Sequence, residues 1–298
     1  MTVYVCSSAD QDAPLLSGEM GGGLNIIKAV LQDGYGQTFT GLGWTEEYAA
    51  NDIAVYRNSA TGTNFYIRIE DNLSGTDNFM NIRGYGAMSD IDTGTDPFPS
   101  VAQQADGLVV TKSEDISSTS RPWLLFGTEK TFYLVISFDG DSSFVNAHTY
   151  GFGDFVSLYG SDTNNCFISG NTSQSILGTD NKFLTFATNI ESVSAGFYIT
   201  KSYTGLGNAV NAGKLTQNNL QNMQFPNPVD GGLYIAPILI SQNGVLRGVL
   251  PGIWYITHAA SNFNHGDIFE GTGDLVDKTF MIIRNYGAVF AAEISDTW

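Results

Sequence analysis

The chain has 298 residues, 30 acidic and 13 basic, and its net charge of −17 excludes a partner whose phosphates must be neutralised by Lys and Arg, so no nucleic acid is expected. Charged residues make up only 14% of it, against 34 glycines, 19 Phe and 14 Tyr, which excludes long exposed helices and suits short strands joined by turns. No stretch reaches the ~20 apolar residues of a membrane span. The first residues lack the basic start and apolar run of an export signal, so a soluble protein made in a cytoplasm is expected.

In chain order, "LNIIKAVLQDGYG" is the one clear helical pattern. Leu24, Ile27 and Leu31 recur at helical spacing, Ile26 and Val30 widen the stripe, and Gly34 stands where a left-handed cap closes a helix. This predicts a helix near 24–33. "DIAVYRN" and "NFYIRIEDN" flank "SATGT" as a hairpin with Gly62 in its loop. In the second strand Phe65, Ile67 and Ile69 alternate with Tyr66, Arg68 and Glu70, so one face is buried and the other wet.

"FMNIRGYGAM" follows, then the acidic stretch "MSDIDTGTDPFPS". "GLVVTK", "PWLLFG" and "TFYLVISF" form the next strand group, the last two as a hairpin about "GTEK". "DFVSLYG", "CFISG", "FLTFAT" and "GFYITKSYT" continue it, and 207–232 reads as a long loop or exposed arm. "LYIAPILI", "GVLRGVLPGIWYITH" and "KTFMIIRNYGAVFAAEI" close the chain as strands. "IRGYGAM" at 82–88 and "IRNYGAV" at 283–289 echo each other, but the "TGLG" echo at 40 and 204 has a different offset, so neither marks a tandem repeat. The expected fold is mainly β, with antiparallel β-sandwich-like regions and one short N-terminal α-helix. An N-terminal β region, 1–145, and a C-terminal one, 146–298, are expected, with one undivided domain as the alternative.

Asp90, Asp92 and Asp96 alternate around Gly94 in a way that suggests a calcium loop. Counting from Asp90, however, Gly94 falls at position five and Val101 at position twelve, where an EF-hand needs Gly at six and Glu at twelve. The reading is a rigid acidic turn, with calcium as the alternative. The acid pairs Glu46/Glu47, Glu114/Asp115 and Asp139/Asp141 could in principle serve glycoside hydrolysis, but "FDGDSS" is better read as a turn. His258, His265 and Asp267 fit no standard zinc spacing, and His148 stands apart. No nucleophile elbow or Walker A motif is present, Cys166 has no sequence-neighbouring His, and two cysteines, Cys6 and Cys166, read as free thiols. The glycine runs "GGGLNIIKA" and "GLGNAVNAG" lack the alternating strands and helices of a phosphate-binding fold. Trp123 and Trp254 lie in apolar runs and are expected in cores. No cofactor is expected.

The stretches "SSADQDAPLLSGEMGGGLNIIKAVLQDGYG", "GWTEEYAANDIAVYRN", "IRGYGAMSDIDTGTDPFPS", "STSRPWLLFGTEKTFYLVI", "GVLRGVLPGIWYITH" and "FEGTGDLVDKTFMIIRN", taken in order, resemble a family of tailed-bacteriophage virion structural proteins. The resemblance spans nearly the whole chain and carries no catalytic residues to transfer. It implies a non-enzymatic protein of the virion, most of all of the tail apparatus: tail tip, baseplate, collar or fibre attachment. Such a protein acts by homo-oligomeric self-association and by docking to other phage virion proteins. The alternatives are a capsid decoration protein and a carbohydrate-binding protein that recognises a host glycan receptor. Asp90, Asp92 and Phe98 of the acidic turn, and Trp298, are the interface candidates.

Overall fold

A computed structural model describes residues 1–71, 78–172, 196–207, 210–211, 213–215, 225–258, 262–285, 288–296 and 298. The strand expected at "FLTFAT" and the part of the expected arm at 208–209, 212 and 216–224 lie outside these residues.

The chain opens with strand β1 (Tyr4–Ser7) and helix α1 (Gly22–Lys28), which runs on as a π-helical turn over Ala29–Asp33. Gly34 ends it at φ +75°, its N–H donating to Ala29 O, so the predicted span and stop both hold. An antiparallel meander follows: β2 (Thr45–Ala50), β3 (Ile53–Arg57), β4 (Tyr66–Asp71) and β5 (Phe79–Tyr85). After the small ribbon β6 (Ala87–Asp90) and β7 (Thr93–Thr95), strand β8 (Leu108–Thr111) joins β5, giving the N-terminal sheet β2-β3-β4-β5-β8.

Strands β9 (Trp123–Gly127), β10 (Thr131–Ile136), β11 (His148–Asp154), β12 (Val156–Ser157), β13 (Cys166–Ser169), β14 (Phe197–Ile199) and β15 (Val210–Asn211) come next. All but β12 belong to a central sheet ordered β1-β9-β10-β11-β13-β14-β15. Strands β16 (Gly213–Leu215), β17 (Ile235–Gln242), β18 (Val245–Ile256), β19 (Ile268–Glu270), β20 (Thr279–Asn285) and β21 (Ala288–Glu293) build the C-terminal sheet, ordered β16-β17-β18-β21-β20-β19, and β12 pairs with β18. The protein is mainly β and sandwich-like. Residue 145 falls in the connection between β10 and β11, which pair with each other, so the two expected β regions share the central sheet.

The pleat sorts the central strands. Trp123, Leu125, Phe132, Leu134, Ile136, Tyr150 and Ile168 face a core that they share with α1 and the N-terminal sheet, where Ile27, Tyr56, Ile67, Ile82 and Val110 meet them. The alternate residues Leu124, Phe126, Tyr133, Val135, Phe167 and Ile199 face Ile240, Ile253, Tyr255, Ile283 and Phe290 of the C-terminal sheet. The result is three stacked layers with the central sheet covered on both sides. A smaller cluster, Ile256, Phe280, Ile282 and Val289, covers the outer face of the C-terminal sheet.

Asp71, at the end of β4, ties the helix to this frame. Its Oδ2 accepts the N–H groups of Gly23 (2.9 Å) and Leu24 (3.2 Å) at the start of α1. Its Oδ1 meets the ammonium of Lys112, which also donates to Glu19 O at 2.8 Å. Both charged side chains are wholly buried. Gly23 lets β5 pack close, because a Cβ would stand 2.3 Å from Met80 Sδ and the Met80 side chain would have to shift. At the open edge of the central sheet, two carboxylates take backbone donors: Asp296 accepts Val3 N–H (2.5 Å) and Asp10 accepts Ser7 N–H (2.7 Å).

Lys112→Met leaves Asp71 buried without its cation and should lower unfolding stability by roughly 3–5 kcal/mol in urea titrations. The Asp71→Leu, Lys112→Met pair should lose less than the sum of the two single changes. An additive pair would contradict the coupling.

Candidate functional site

A cleft of about 690 Å³ opens where turns of the three sheets meet. Thr61, Gly62 and Thr63 of the β3–β4 turn form one wall, and Thr128 and Lys130 of the β9–β10 turn form the next. The end of β11 and the loop after β12 supply Asp154, Tyr159, Asp162, Thr163 and Asn165; Pro251 of β18 and Trp298 close the far side. These positions are strand ends, where the apolar pattern of the sheet stops and polar side chains can stand.

Asp154 lies at the base. Its Oδ1 accepts Asn58 Nδ2–H (3.0 Å) and Thr63 Oγ1–H (2.5 Å), and its Oδ2 accepts Thr63 N–H (2.9 Å). Burial nevertheless pushes its pKa up, outweighing these bonds and the Lys130 charge. Asp162 is held differently. Its oxygens accept Arg247 Nε (3.0 Å) and Nη2 (3.0 Å), and both side chains are fully buried. Arg247 spends its other donors on Lys201 O (2.5 Å), Gln242 Oε1 (2.8 Å) and Asn164 O (2.9 Å), with the guanidinium 5.2 Å from the Phe155 ring centre. All five N–H groups are used. With both its oxygens committed to Arg247, Asp162 is not placed to act as the second carboxylate of a general acid–base pair.

One thiol lies beside the base of the cleft. Cys166 is buried near Asp154 and Thr63, and burial raises its pKa, so it stays protonated. Cys6 is also buried, its pKa pushed up to about 11, and both thiols are free, as expected.

The acidic turn does not gather its carboxylates. Asp92 Oδ1 accepts Arg68 Nη2 (2.7 Å), Asp96 pairs with Lys201 (2.8 Å), and Asp90 Oδ1 accepts Ile91 N–H (2.7 Å). Among the described residues no three His, Cys, Asp or Glu side chains stand together as a metal site. Asp90 and Asp92 are exposed on the ribbon β6–β7. Phe98 corrects the interface expectation. It is fully buried, 5.8 Å from Phe65 and against Gly84, because the turn folds its aromatic ring back into the chain's own core.

Trp298 is likewise seated on its own chain. The indole lies on Gly252, donates Nε1–H to Glu293 O at 3.0 Å and stands 6.3 Å from Tyr133, while still lining the cleft. Trp123 is buried as expected, whereas Trp254 is half-buried, with Lys278 Nζ 5.8 Å from its ring centre.

The remaining acids and histidines serve local structure. Glu46 pairs with Lys28, Glu47 with Arg57, and Glu114 and Asp115 with Arg121. Asp139 accepts Ser137 Oγ–H, Asp141 N–H and Asn146 Nδ2–H in the expected turn. His258 Nε2 accepts Tyr234 N–H (3.0 Å), and His265 Nδ1 accepts Arg284 N–H (3.3 Å) while its ring stacks 4.0 Å from Phe144. His148 is buried beside Tyr150 OH (3.1 Å). Sequence reasoning missed Asp154, Lys130, Tyr159 and Arg247. No local pattern in the sequence marks them as a group.

Among the described residues no helix is long and apolar enough to cross a membrane. No protein-family model and no curated protein matches the chain.

Burial and the nearby Arg284 charge hold His265 down at about 4, from an ordinary 6.5. The unfolded chain therefore binds a proton that the folded chain refuses as pH falls between these values. This contribution, about 3 kcal/mol, is whole above pH 6.5 and lost as pH falls through about 4. His265→Gln should flatten the pH dependence of urea stability across that interval. An unchanged slope would contradict the assignment.

Proposed function

We propose that the chain is a non-enzymatic structural protein of a tailed-bacteriophage particle, sited in the tail apparatus and working by self-association and docking to other virion proteins. The ordered resemblance described above supports the particle. The observation that carries the mode of action is an exposed apolar patch around Arg247. Val156, Leu158, Leu206 and Leu246 are each more than 40% exposed, and Tyr203 slightly less.

Several contacts bring these residues together. Val156 pairs with Val249, Leu158 N–H donates to Arg247 O, and the Tyr159 and Tyr203 rings stack 4.3 Å apart. The loop bearing Tyr203 and Leu206 is pinned through Lys201 O to the same guanidinium. An apolar patch held by a buried, fully bonded Arg is a preorganised contact surface, and such patches mark association sites. Two features favour a non-enzymatic role: the Asp162 carboxylate is fully engaged, and the thiols are buried and protonated.

Gold-labelled antibody on intact particles of the source phage should decorate the tail. Label over the head would move the protein to the decoration class, and particles without label would overturn the virion reading. Leu158→Lys with Leu206→Lys should shift purified protein toward monomer in sedimentation velocity, by about tenfold or more in association constant. The monomer melting temperature should hold within a few degrees.

A further inference from the structure

We propose that the cleft between the three sheets binds a neutral saccharide. A volume near 690 Å³ lies within the roughly 300–1,000 Å³ of small-ligand sites, enough for more than one sugar ring. Besides the buried Phe155, two half-exposed aromatic side chains border it, and neither is loose. Trp298 is backed by Gly252, whose missing Cβ lets the indole lie flat on the backbone; any Cβ there would stand 2.4 Å from the ring. Tyr159 is backed by Tyr203. An aromatic ring fixed on one side and half-exposed on the other is a platform for the C–H face of a pyranose.

The polar lining supplies the complementary half. Among the described residues the Lys130 ammonium, the Tyr159 phenol and the Thr163 hydroxyl make no hydrogen bond, so these donors are open to a ligand. Asn165 donates Nδ2–H to Phe155 O, which fixes the amide and leaves its carbonyl oxygen as an acceptor. Hydroxyl-rich ligands need this mixture of donors and acceptors beside an apolar face. The charge argues for neutrality: Lys130 is balanced by Asp154 at the base, and the chain carries −17 overall, so an anion gains little here. Asp154 is held by three bonds from Asn58 and Thr63 and shapes the floor. The site is thus one for binding, and it holds wherever the protein sits in a particle.

The test titrates the full chain with maltotriose, cellotriose, chitotriose, a mannotriose and a galactose-terminated trisaccharide, with inorganic phosphate as the anionic control, read by calorimetry and tryptophan fluorescence. At least one trisaccharide should bind and change the emission. Tyr159→Ala and Trp298→Ala should each weaken that binding about tenfold or more, and Trp298→Phe should remove most of the emission change, since Trp44 and Trp123 are buried and Trp254 lies outside the cleft. Val229→Lys, exposed and outside the cleft, should bind as the parent does. Should Trp298→Ala unfold, Tyr159→Ala alone decides. The proposal is overturned if no trisaccharide binds up to about 10 mM, if binding survives both aromatic changes, or if phosphate binds more tightly than every sugar. Particle labelling is unaffected by any of these outcomes, so the two readings fail separately.

Discussion

A β-sheet with a layer on each side has no wet face, so neither parity of residue along its strands is free to be polar. In β9 and β10 every residue from Trp123 to Gly127 and from Thr131 to Ile136 is buried; Trp123, Leu125, Phe132, Leu134 and Ile136 face one layer, and Leu124, Phe126, Tyr133 and Val135 the other. The outer sheets inherit their geometry from this. Each must present an apolar face inward, and the helix must fill what the N-terminal sheet leaves open. Some polar groups of the central sheet are satisfied within the core, as where Tyr150 OH accepts Thr111 N–H (3.0 Å) from the neighbouring layer and meets His148 and Asn171. The rest are pushed to the strand ends, and there the cleft forms.

A chain with so few charges nevertheless buries several. Lys112, Arg83 and Arg247 are among its 13 basic residues, and all three lie inside. Arg83 has three backbone carbonyls, those of Pro99, Gln104 and Ala105, at 2.5–2.7 Å. Placing such groups in a core costs more in desolvation than a methyl-lined alternative, and their gain lies in selecting one arrangement of loops. Each one fastens an irregular segment to a sheet: α1 by Lys112 and Asp71, residues 99–105 by Arg83, and the loops after β12 and β14 by Arg247. The apolar layers set the stacking, and the buried cations set what decorates it.

Much of the fold was legible because period and turn chemistry are local. The Leu24–Leu31 stripe with Gly34, the Phe65–Ile67–Ile69 alternation and the hairpin about "GTEK" are all present where the pattern placed them. Strands β1, β2 and β11 are among those not read from the sequence. "YVCS" is short, and "HTYGFGD" is interrupted by Gly151 and Gly153, which lack the side chains that periodicity counts. The cleft was not legible at all. Thr63, Lys130, Asp154 and Trp298 are far apart in sequence, and only the stacking of three sheets brings their turns together. Phe98 failed for a related reason: an aromatic among acids reads as exposed, and the direction of the turn alone decides otherwise.

The carboxylates of Asp10 and Asp296 at the edge of the central sheet have a consequence for architecture. A bare edge invites a neighbour's backbone, and ladders joined that way grow without a natural end. Here two donors along that edge, Val3 N–H and Ser7 N–H, are already occupied from within the chain. Backbone pairing of another strand at these two positions would first have to displace carboxylates that belong to the chain itself.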